Sequence, residues 1–144
     1  EAMTLLRPLL DQLNIDRGGS GTIVMATLQG DIHDIGRNIA VVMLKASGFK
    51  VFDLGHDIKP DVIIRKAEEL NADIIGLSSL LTTSLPFSKD LISLLEEQNL
   101  RNKYKVVMGG GAVTPEYVER IGADGYAKDA AQGVRLIRKI LTEG

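Results

Sequence analysis

The chain has 144 residues, a formal net charge of −2, 44% hydrophobic residues and no cysteine. This length suggests one domain with a real hydrophobic core. The lack of a basic cluster argues against a nucleic-acid partner and against a polybasic membrane patch. Disulfides and thiolate chemistry are excluded, no apolar run is long enough for a membrane span, and no signal peptide is visible. We therefore expect a cytoplasmic domain.

The first residues predict a helix that belongs to a neighbouring unit. Leucines between residues 5 and 13 recur at helical spacing, although Pro8 indicates that the helix begins or kinks there. Residues 16–21 are rich in glycine and have the composition of a linker. The boundary of the main domain is expected at about residue 18.

From Thr22 onward, strands and helices alternate. The predicted strands are 23–28, 50–54, 73–78, 104–108 and 125–127. The predicted helices are 37–47, which Gly48 ends, 60–70, 86–99, a short one after Pro115, and one that Asp129 caps and that runs to about residue 141. This alternation predicts an α/β fold: a flavodoxin-like (Rossmann-type), doubly wound sheet of five parallel strands in the order 2-1-3-4-5.

Two loops are expected to flank one crevice in that fold. With the order 2-1-3-4-5, the switch point lies between strands one and three, and ligands bind at such a point. The loop after strand one contains Asp31 and His33, and the loop after strand three spans 78–84. These loops are therefore the predicted ligand site.

His33 is the strongest candidate for chemistry. A lone histidine is more often a polar loop residue, but Asp31 is two positions away and can orient one ring nitrogen, leaving the other free for a metal. No second histidine, cysteine or carboxylate cluster stands near it at zinc spacing. A single histidine suits the axial position of a metal that a macrocycle already holds.

Taken alone, the other candidates have simpler interpretations. Ser78 and Thr82 can satisfy backbone groups at a strand end, and Leu80 can be ordinary core. The glycines at 109–111 can form a turn or an anion-binding loop, although a P-loop lysine is missing. Asp34 can be the N-cap of the first helix.

Together, these residues resemble the signature of the cobalamin (vitamin B12)-binding domain family. That signature is Asp-x-His-x-x-Gly, then Ser-x-Leu, then Gly-Gly. Here the three parts are Asp31-Ile32-His33-Asp34-Ile35-Gly36, Ser78-Ser79-Leu80 and Gly109-Gly110-Gly111, in order and at similar spacing. The resemblance covers the chain from about Thr22 to its end.

The resemblance implies base-off, His-on binding, in which His33 is the lower ligand of cobalt and the displaced nucleotide tail runs between strands one and three. The positions that it implies for cofactor binding are Gly30, Asp31, His33, Asp34, Ile35, Gly36, Ser78, Leu80, Thr82, Gly109, Gly110 and Gly111. It also implies a catalytic relay of His33, Asp31 and Ser84, with the Ser84 hydroxyl bonded to the aspartate. We hypothesise that this relay gains a proton on demethylation and loses it on remethylation.

Residues 24–27 and 122–127 are most similar to methyltransferase corrinoid proteins of anaerobic one-carbon metabolism. By this resemblance, residues 1–17 are the last helix of a helical cap domain plus the start of the linker, and residues 18–144 are the cobalamin-binding domain. The implied function is a methyl carrier, not a complete enzyme. It would work between a substrate-specific methyltransferase and an acceptor methyltransferase, with a reductive activation protein as a third partner.

Two alternatives within the family remain open: the cobalamin-binding subunit of an adenosylcobalamin-dependent mutase, and a cobalamin-sensing regulatory domain. Outside the family, a phosphoacceptor receiver domain is disfavoured because strand three ends in Ser78 and Ser79 instead of an aspartate. A flavodoxin is disfavoured because the first loop lacks hydroxyl groups for a phosphate, and only 4% of the residues are aromatic.

Overall fold

The computed structural model describes residues 21–143, in which five strands alternate with five α-helices. The strands are β1 (Thr22–Thr27), β2 (Lys50–Asp53), β3 (Ile74–Ser78), β4 (Lys105–Gly109) and β5 (Gly125–Ala127). The helices are α1 (Ile35–Ala46), α2 (Pro60–Leu70), α3 (Pro86–Glu97), α4 (Pro115–Ile121) and α5 (Ala130–Glu143). The predicted cap helix at 1–17 lies outside the described residues.

The strands form one parallel sheet in the order β2-β1-β3-β4-β5, which confirms the predicted doubly wound, flavodoxin-like fold. β1 pairs with both β2 and β3, so the chain reverses direction across the sheet at β1. The loops that follow β1 and β3 therefore leave the same edge side by side. This is the crevice position that the sequence predicts.

Each face of the sheet has its own hydrophobic core. One core packs α2, α3 and α4 against side chains such as Val24 and Ile75, and the other packs α1 and α5 against side chains such as Ile23 and Val107. Alternate residues of a strand point to opposite faces, so central strands must be apolar throughout. Burial of each large aliphatic side chain contributes about 1.5–3 kcal/mol to folding.

Element ends differ from the predictions by one or two residues where local chemistry decides them. α1 begins at Ile35, two residues earlier than predicted. α3 ends at Glu97, and Asn99 adopts a left-handed φ of 61° just beyond it. A 3-10 turn at Thr82–Ser84 was not predicted. In residues 21–143, no helix is both long enough and apolar enough to cross a membrane.

Candidate functional site

His33 and Asp31 form a hydrogen-bonded pair in the loop between β1 and α1. The His33 Nδ1 atom lies 2.7 Å from Asp31 Oδ1, and the same oxygen accepts the His33 backbone N–H at 2.9 Å. Asp31 is fully buried, whereas 49% of the His33 side chain is exposed. Because Nδ1 faces the carboxylate, Nε2 is the nitrogen that is available to a metal.

Asp31 also joins the two loops of the crevice. Its Oδ2 accepts the backbone N–H of Leu80 at 2.6 Å, across 49 residues of chain. Burial opposes ionisation of this carboxyl group, but the hydrogen bonds from the Leu80 amide and from the His33 amide and ring outweigh it and hold the pKa of Asp31 below its ordinary value. Asp31 is therefore an anion that orients His33 and anchors the β3 loop.

The predicted hydrogen bond between Ser84 and Asp31 is absent from residues 21–143. Ser84 Oγ instead donates to the Leu81 carbonyl at 2.9 Å and contacts Ser79 Oγ at 2.5 Å. The physical reason is that the Leu80 amide occupies Asp31 Oδ2, while the 3-10 turn directs the Ser84 side chain back into its own loop. The expected three-residue relay is not one continuous set of hydrogen bonds.

Arg37 forms a second support for His33 that the sequence reading did not identify. Its side chain is 5% exposed; Nε donates to Asp53 Oδ1 at 2.8 Å, and Nη1 donates to Thr27 Oγ1 at 2.8 Å. The Thr27 hydroxyl donates in turn to the His33 carbonyl at 3.3 Å. The sequence contains one indication of this role. A cation in the first turn of a helix opposes the helix dipole and needs another stabilising partner.

Asp34 stands at the N-cap position of α1, but its side chain does not cap the helix. Its carboxylate binds Arg37 and lies 3.0 Å from His56 Nδ1 in the loop after β2. The Arg37 hydrogen bond, followed by that of His56, holds the pKa of Asp34 below its ordinary value. Asp57 in the same β2 loop accepts the Gly30 N–H at 2.8 Å. The β1 and β2 loops are thus also joined.

A cavity of about 630 Å³ opens between α1, α5 and the sheet, beside His33. The residues that line it are Met25, His33, Ile35, Gly36, Arg37, Ile39, Ala40, Met43, Leu44, Gly76, Leu77, Ser78, Leu80, Val107, Met108, Gly109, Gly110, Gly111, Ala127, Lys128, Asp129, Ala130, Ala131, Gly133, Val134 and Ile137. Most of these side chains are apolar. The sequence predicts almost none of the α5 residues that line the cavity, because they lie far along the chain from the motifs.

The predicted cofactor-binding residues divide into two groups. Those that line the cavity are His33, Ile35, Gly36, Ser78, Leu80, Gly109, Gly110 and Gly111. Those that are not part of its lining are Gly30, Asp31, Asp34 and Thr82. Asp31 and Asp34 act through hydrogen bonds to their neighbours instead. Thr82 is exposed on the 3-10 turn.

Two glycines of the cavity lining differ in whether the packing of the protein requires them. Gly110 has a φ of 115°, and a Cβ there would overlap the backbone carbonyl of Ser79, so this glycine lets the β3 and β4 loops pack together. A Cβ at Gly36 would meet nothing within 4 Å. Packing of the protein itself does not require Gly36, which leaves open space beside the cavity.

These residues fit a metal that is held by a macrocycle. Within residues 21–143, no group of three or more histidine, cysteine, aspartate or glutamate side chains is placed to hold a metal ion. His33 presents one oriented nitrogen at the mouth of an apolar cavity. One axial ligand plus a slot for an organic group is the donor set that a metal macrocycle needs from its protein.

Comparison with known families agrees with this geometry. The family model described as "B12 binding domain" matches residues 21–135. The chain belongs to the B12-binding domain family. Its cofactor is accordingly cobalamin or a related corrinoid, as the sequence signature implied. The matched range contains the whole sheet, α1 and the first six residues of α5, and so includes every residue of the cavity lining except Ile137.

The relatives in this family include corrinoid proteins. The chain is 48% identical over 140 residues to a corrinoid protein of Desulfitobacterium hafniense, spanning 96% of this chain and 65% of the relative. It is 47% identical over 121 residues to dimethylamine corrinoid protein 3 of Methanosarcina mazei, spanning 84% of this chain and 72% of the relative. The methanol:cobalamin methyltransferase complex MtaBC from Methanosarcina barkeri contains a similar fold. Its TM-score is 0.81 at 29% identity, over 86% of this chain and 47% of that chain.

Proposed function

We propose that this protein is a corrinoid methyl carrier that works between a substrate-specific methyltransferase and an acceptor methyltransferase. The observation that carries the proposal is the oriented His33–Asp31 pair at the mouth of the cavity. Relatives that are named corrinoid proteins, and the fold shared with a chain of a methyltransferase complex, support the carrier role. The chain spans about two thirds of the length of the first relatives, so the activity and partners of a whole carrier are part of the proposal.

His33 is the proposed lower ligand in base-off, His-on binding. When bound, the corrinoid supplies the cobalt centre that accepts and releases the methyl group. Asp31 holds the imidazole with Nε2 directed away from the carboxylate, and the Thr27 hydroxyl holds the His33 carbonyl. Asp31 therefore fixes the ring and the backbone N–H of His33, and Thr27 fixes its carbonyl, which limits the reorganisation needed for ligation.

The edge of the sheet around His33 is suited to cover a large apolar ring. Ile32 is 68% exposed, Leu80 is 45% exposed and Leu81 is 37% exposed. Exposed apolar side chains that cluster beside a candidate ligand indicate a binding surface. We assign these three side chains to contact with the corrin. The nucleotide tail is assigned to the cavity between α1 and α5.

The name of the relative from Methanosarcina mazei favours a methylated amine as the methyl donor. In a carrier, the donor touches the partner methyltransferase, so its specificity is a property of that partner. A reductive activation protein is the third proposed partner, because the carrier needs a route back from accidental oxidation of its cobalt. The cytoplasm is the compartment that we predict for this system.

The decisive experiment compares absorbance spectra of the protein reconstituted with methylcobalamin in three forms: wild type, His33→Ala and His56→Ala. His56 is the matched control because it also contacts a carboxylate at the same edge and is 46% exposed. We expect an imidazole-ligated spectrum in the wild type and in His56→Ala, and its loss in His33→Ala. A wild-type spectrum without imidazole ligation would contradict His-on binding.

The carrier role needs its own test. The methylated protein is mixed with a methyltransferase that uses a thiol or tetrahydrofolate as acceptor, and methylated product is measured. We expect product from the wild type and much less from His33→Ala, with His56→Ala near the wild type. If adenosylcobalamin supports a substrate rearrangement and methylcobalamin supports no transfer, the mutase alternative replaces the proposal.

A further inference from the structure

The cavity has a chemical preference that the family assignment does not supply. We propose that it selects corrinoids whose lower base is a benzimidazole over those whose lower base is a purine. This inference rests on the proposed function, since it assigns the displaced base to the cavity. Natural corrinoids differ in this base, so the preference determines which member of the cofactor class this protein takes.

Three neighbouring strands form the floor of the cavity. Met25, Gly76 and Val107 lie side by side on β1, β3 and β4, because Met25 pairs with Gly76 and Gly76 pairs with Val107. One row nearer the carboxyl edge, Ser78 pairs with Gly109. The two glycines lack side chains where parallel strands usually carry Val or Ile, and the Met25 sulfur fills the space over Gly76. The slot is the part of the cavity that lies between this floor and the two helices.

The walls of the slot are apolar. α1 contributes Met43 and Leu44, and α5 contributes Val134 and Ile137. The thioether of Met25 lies over Gly76, where a Cβ would overlap its sulfur. Sulfur and aliphatic groups pack well against a flat aromatic ring but offer no strong hydrogen bonds.

The polar side chains of the lining are few, and most are engaged or lie at the mouth. They are His33, Arg37, Ser78, Lys128 and Asp129. Arg37 already donates to Asp53 and Thr27, and Asp129 caps α5 by accepting the Gln132 N–H at 2.8 Å. Lys128 is exposed at the end of β5.

Ser78 is the one hydroxyl on the described floor of the cavity that has no side-chain hydrogen bond within residues 21–143. Thr27, beside it on β1, accepts from Arg37 and donates to the His33 carbonyl. The slot therefore offers one free side-chain donor and a mostly apolar surface.

One donor in a mostly apolar slot suits a benzimidazole base. Once displaced from cobalt, that base has one ring nitrogen that accepts a hydrogen bond, and the remainder of the ring is hydrocarbon. Adenine carries an exocyclic amine and additional ring nitrogens, which would lose water without gaining partners in an apolar slot. Unpaired buried polar groups of this kind lower affinity by about 10- to 100-fold.

The test titrates the corrinoid-free full chain with cobinamide, cobalamin and pseudocobalamin. These have no lower base, a benzimidazole and adenine, respectively, and affinity is read from the absorbance change on His33 ligation. Because cobalamin must break its own cobalt–benzimidazole bond before His33 can ligate, each affinity is corrected by the base-off fraction of the free corrinoid, measured by acid titration. After this correction, we expect cobalamin to bind about 10- to 100-fold more tightly than pseudocobalamin. Ser78→Ala is expected to weaken cobalamin about 3- to 10-fold and to leave cobinamide unchanged.

Val107→Thr adds a hydroxyl to the floor at nearly constant volume. It is expected to reduce the ratio of the affinity for cobalamin to the affinity for pseudocobalamin. Val51→Thr is the matched control, because Val51 is buried in the core on the same face but is not part of the cavity lining. Thermal unfolding of both variants checks that they fold.

The outcomes separate this inference from the proposed function. Equal affinities for cobalamin and pseudocobalamin after the base-off correction, or tighter corrected binding of pseudocobalamin, with His33 ligation intact, would overturn the base preference alone. An equal loss of cobinamide and cobalamin affinity in Ser78→Ala would overturn the role of Ser78. If none of the three corrinoids gives a His33-dependent spectrum, the proposed function itself fails.

Discussion

A single carboxylate oxygen of Asp31 holds both the ring and the backbone of His33. Oδ1 lies 2.7 Å from Nδ1 and 2.9 Å from the backbone nitrogen. The ring therefore cannot rotate about its χ angles without losing one hydrogen bond, and it cannot shift with the loop without losing the other. This geometry makes Asp31 the residue on which the orientation of His33 depends.

Replacing Asp31 with alanine is therefore expected to weaken ligation of corrinoid cobalt by His33. Loss of a residue that orients a metal ligand typically costs 10- to 100-fold in metal affinity, so a decrease of about that size is expected. Titration with cobinamide measures it without any contribution from a lower base. Asp57→Ala is the control, since Asp57 accepts the Gly30 N–H at the same edge but does not contact the His33 side chain. An equal decrease in cobinamide affinity for both substitutions would contradict the role of Asp31 in orienting His33.

The same carboxylate predicts how stability depends on pH. The pKa of Asp31 is lower in the folded protein than its ordinary value, so its contribution is complete above the unfolded value of about 3.9 and is lost as pH falls through the folded value. At pH 7, Asp31→Asn is expected to lower the free energy of unfolding by about 2 kcal/mol. Urea unfolding of the wild type and of Asp31→Asn is measured from pH 7 to pH 3. The difference between their free energies of unfolding should decrease as the pH falls, and a difference that does not change with pH would contradict this role of Asp31.

Local signals were sufficient to predict the sheet and the central pair of the site. Apolar runs of strand length, glycine and proline boundaries and the Asp-x-His spacing all lie within short windows of sequence. The sheet order followed from the alternation of elements and the preference for right-handed crossovers. His33 and Asp31 could be paired because two residues in one loop are necessarily neighbours.

The remainder of the site depends on contacts between distant segments. The Ser84 prediction was wrong about the hydrogen-bond partner because the Leu80 amide competes for the same aspartate, and backbone direction in a loop is not visible in residue types. The α5 wall of the cavity, including Val134 and Ile137, reads in sequence as an ordinary amphipathic helix. Only the tertiary structure shows that part of its apolar face lines a cavity.

Arg37 offers a test of the second support for His33. Arg37→Met removes donors from Asp53 and Thr27 and is expected to lower the free energy of unfolding by about 2 kcal/mol, as for hydrogen bonds to charged groups. Arg65→Met is the matched control: the Arg65–Asp61 pair is exposed at 3.5 Å, so an effect within about 0.5 kcal/mol is expected. Chemical denaturation measures the free energy of unfolding of both variants. Similar decreases in the two would show that the buried hydrogen bonds of Arg37 do not stabilise the fold.

Gly36 and Gly110 allow the fold and the binding site to be separated. Both line the cavity, but a Cβ at Gly110 would overlap the Ser79 carbonyl at a left-handed φ of 115°, whereas a Cβ at Gly36 would meet nothing within 4 Å. Gly110→Ala is expected to destabilise the protein by about 1–3 kcal/mol or more, because the β3 and β4 loops must move apart.

Gly36→Leu is expected to leave the thermal unfolding midpoint unchanged or slightly higher, since leucine favours a helix over glycine by up to about 1 kcal/mol. Its side chain would instead occupy the space beside the cavity and reduce cobalamin affinity. Gly36→Ala serves as the small control, with retained stability and a weaker effect on binding. Normal cobalamin affinity in Gly36→Leu would mean that the nucleotide tail does not pass α1 at this residue, and the assignment of the cavity to the tail would have to be changed.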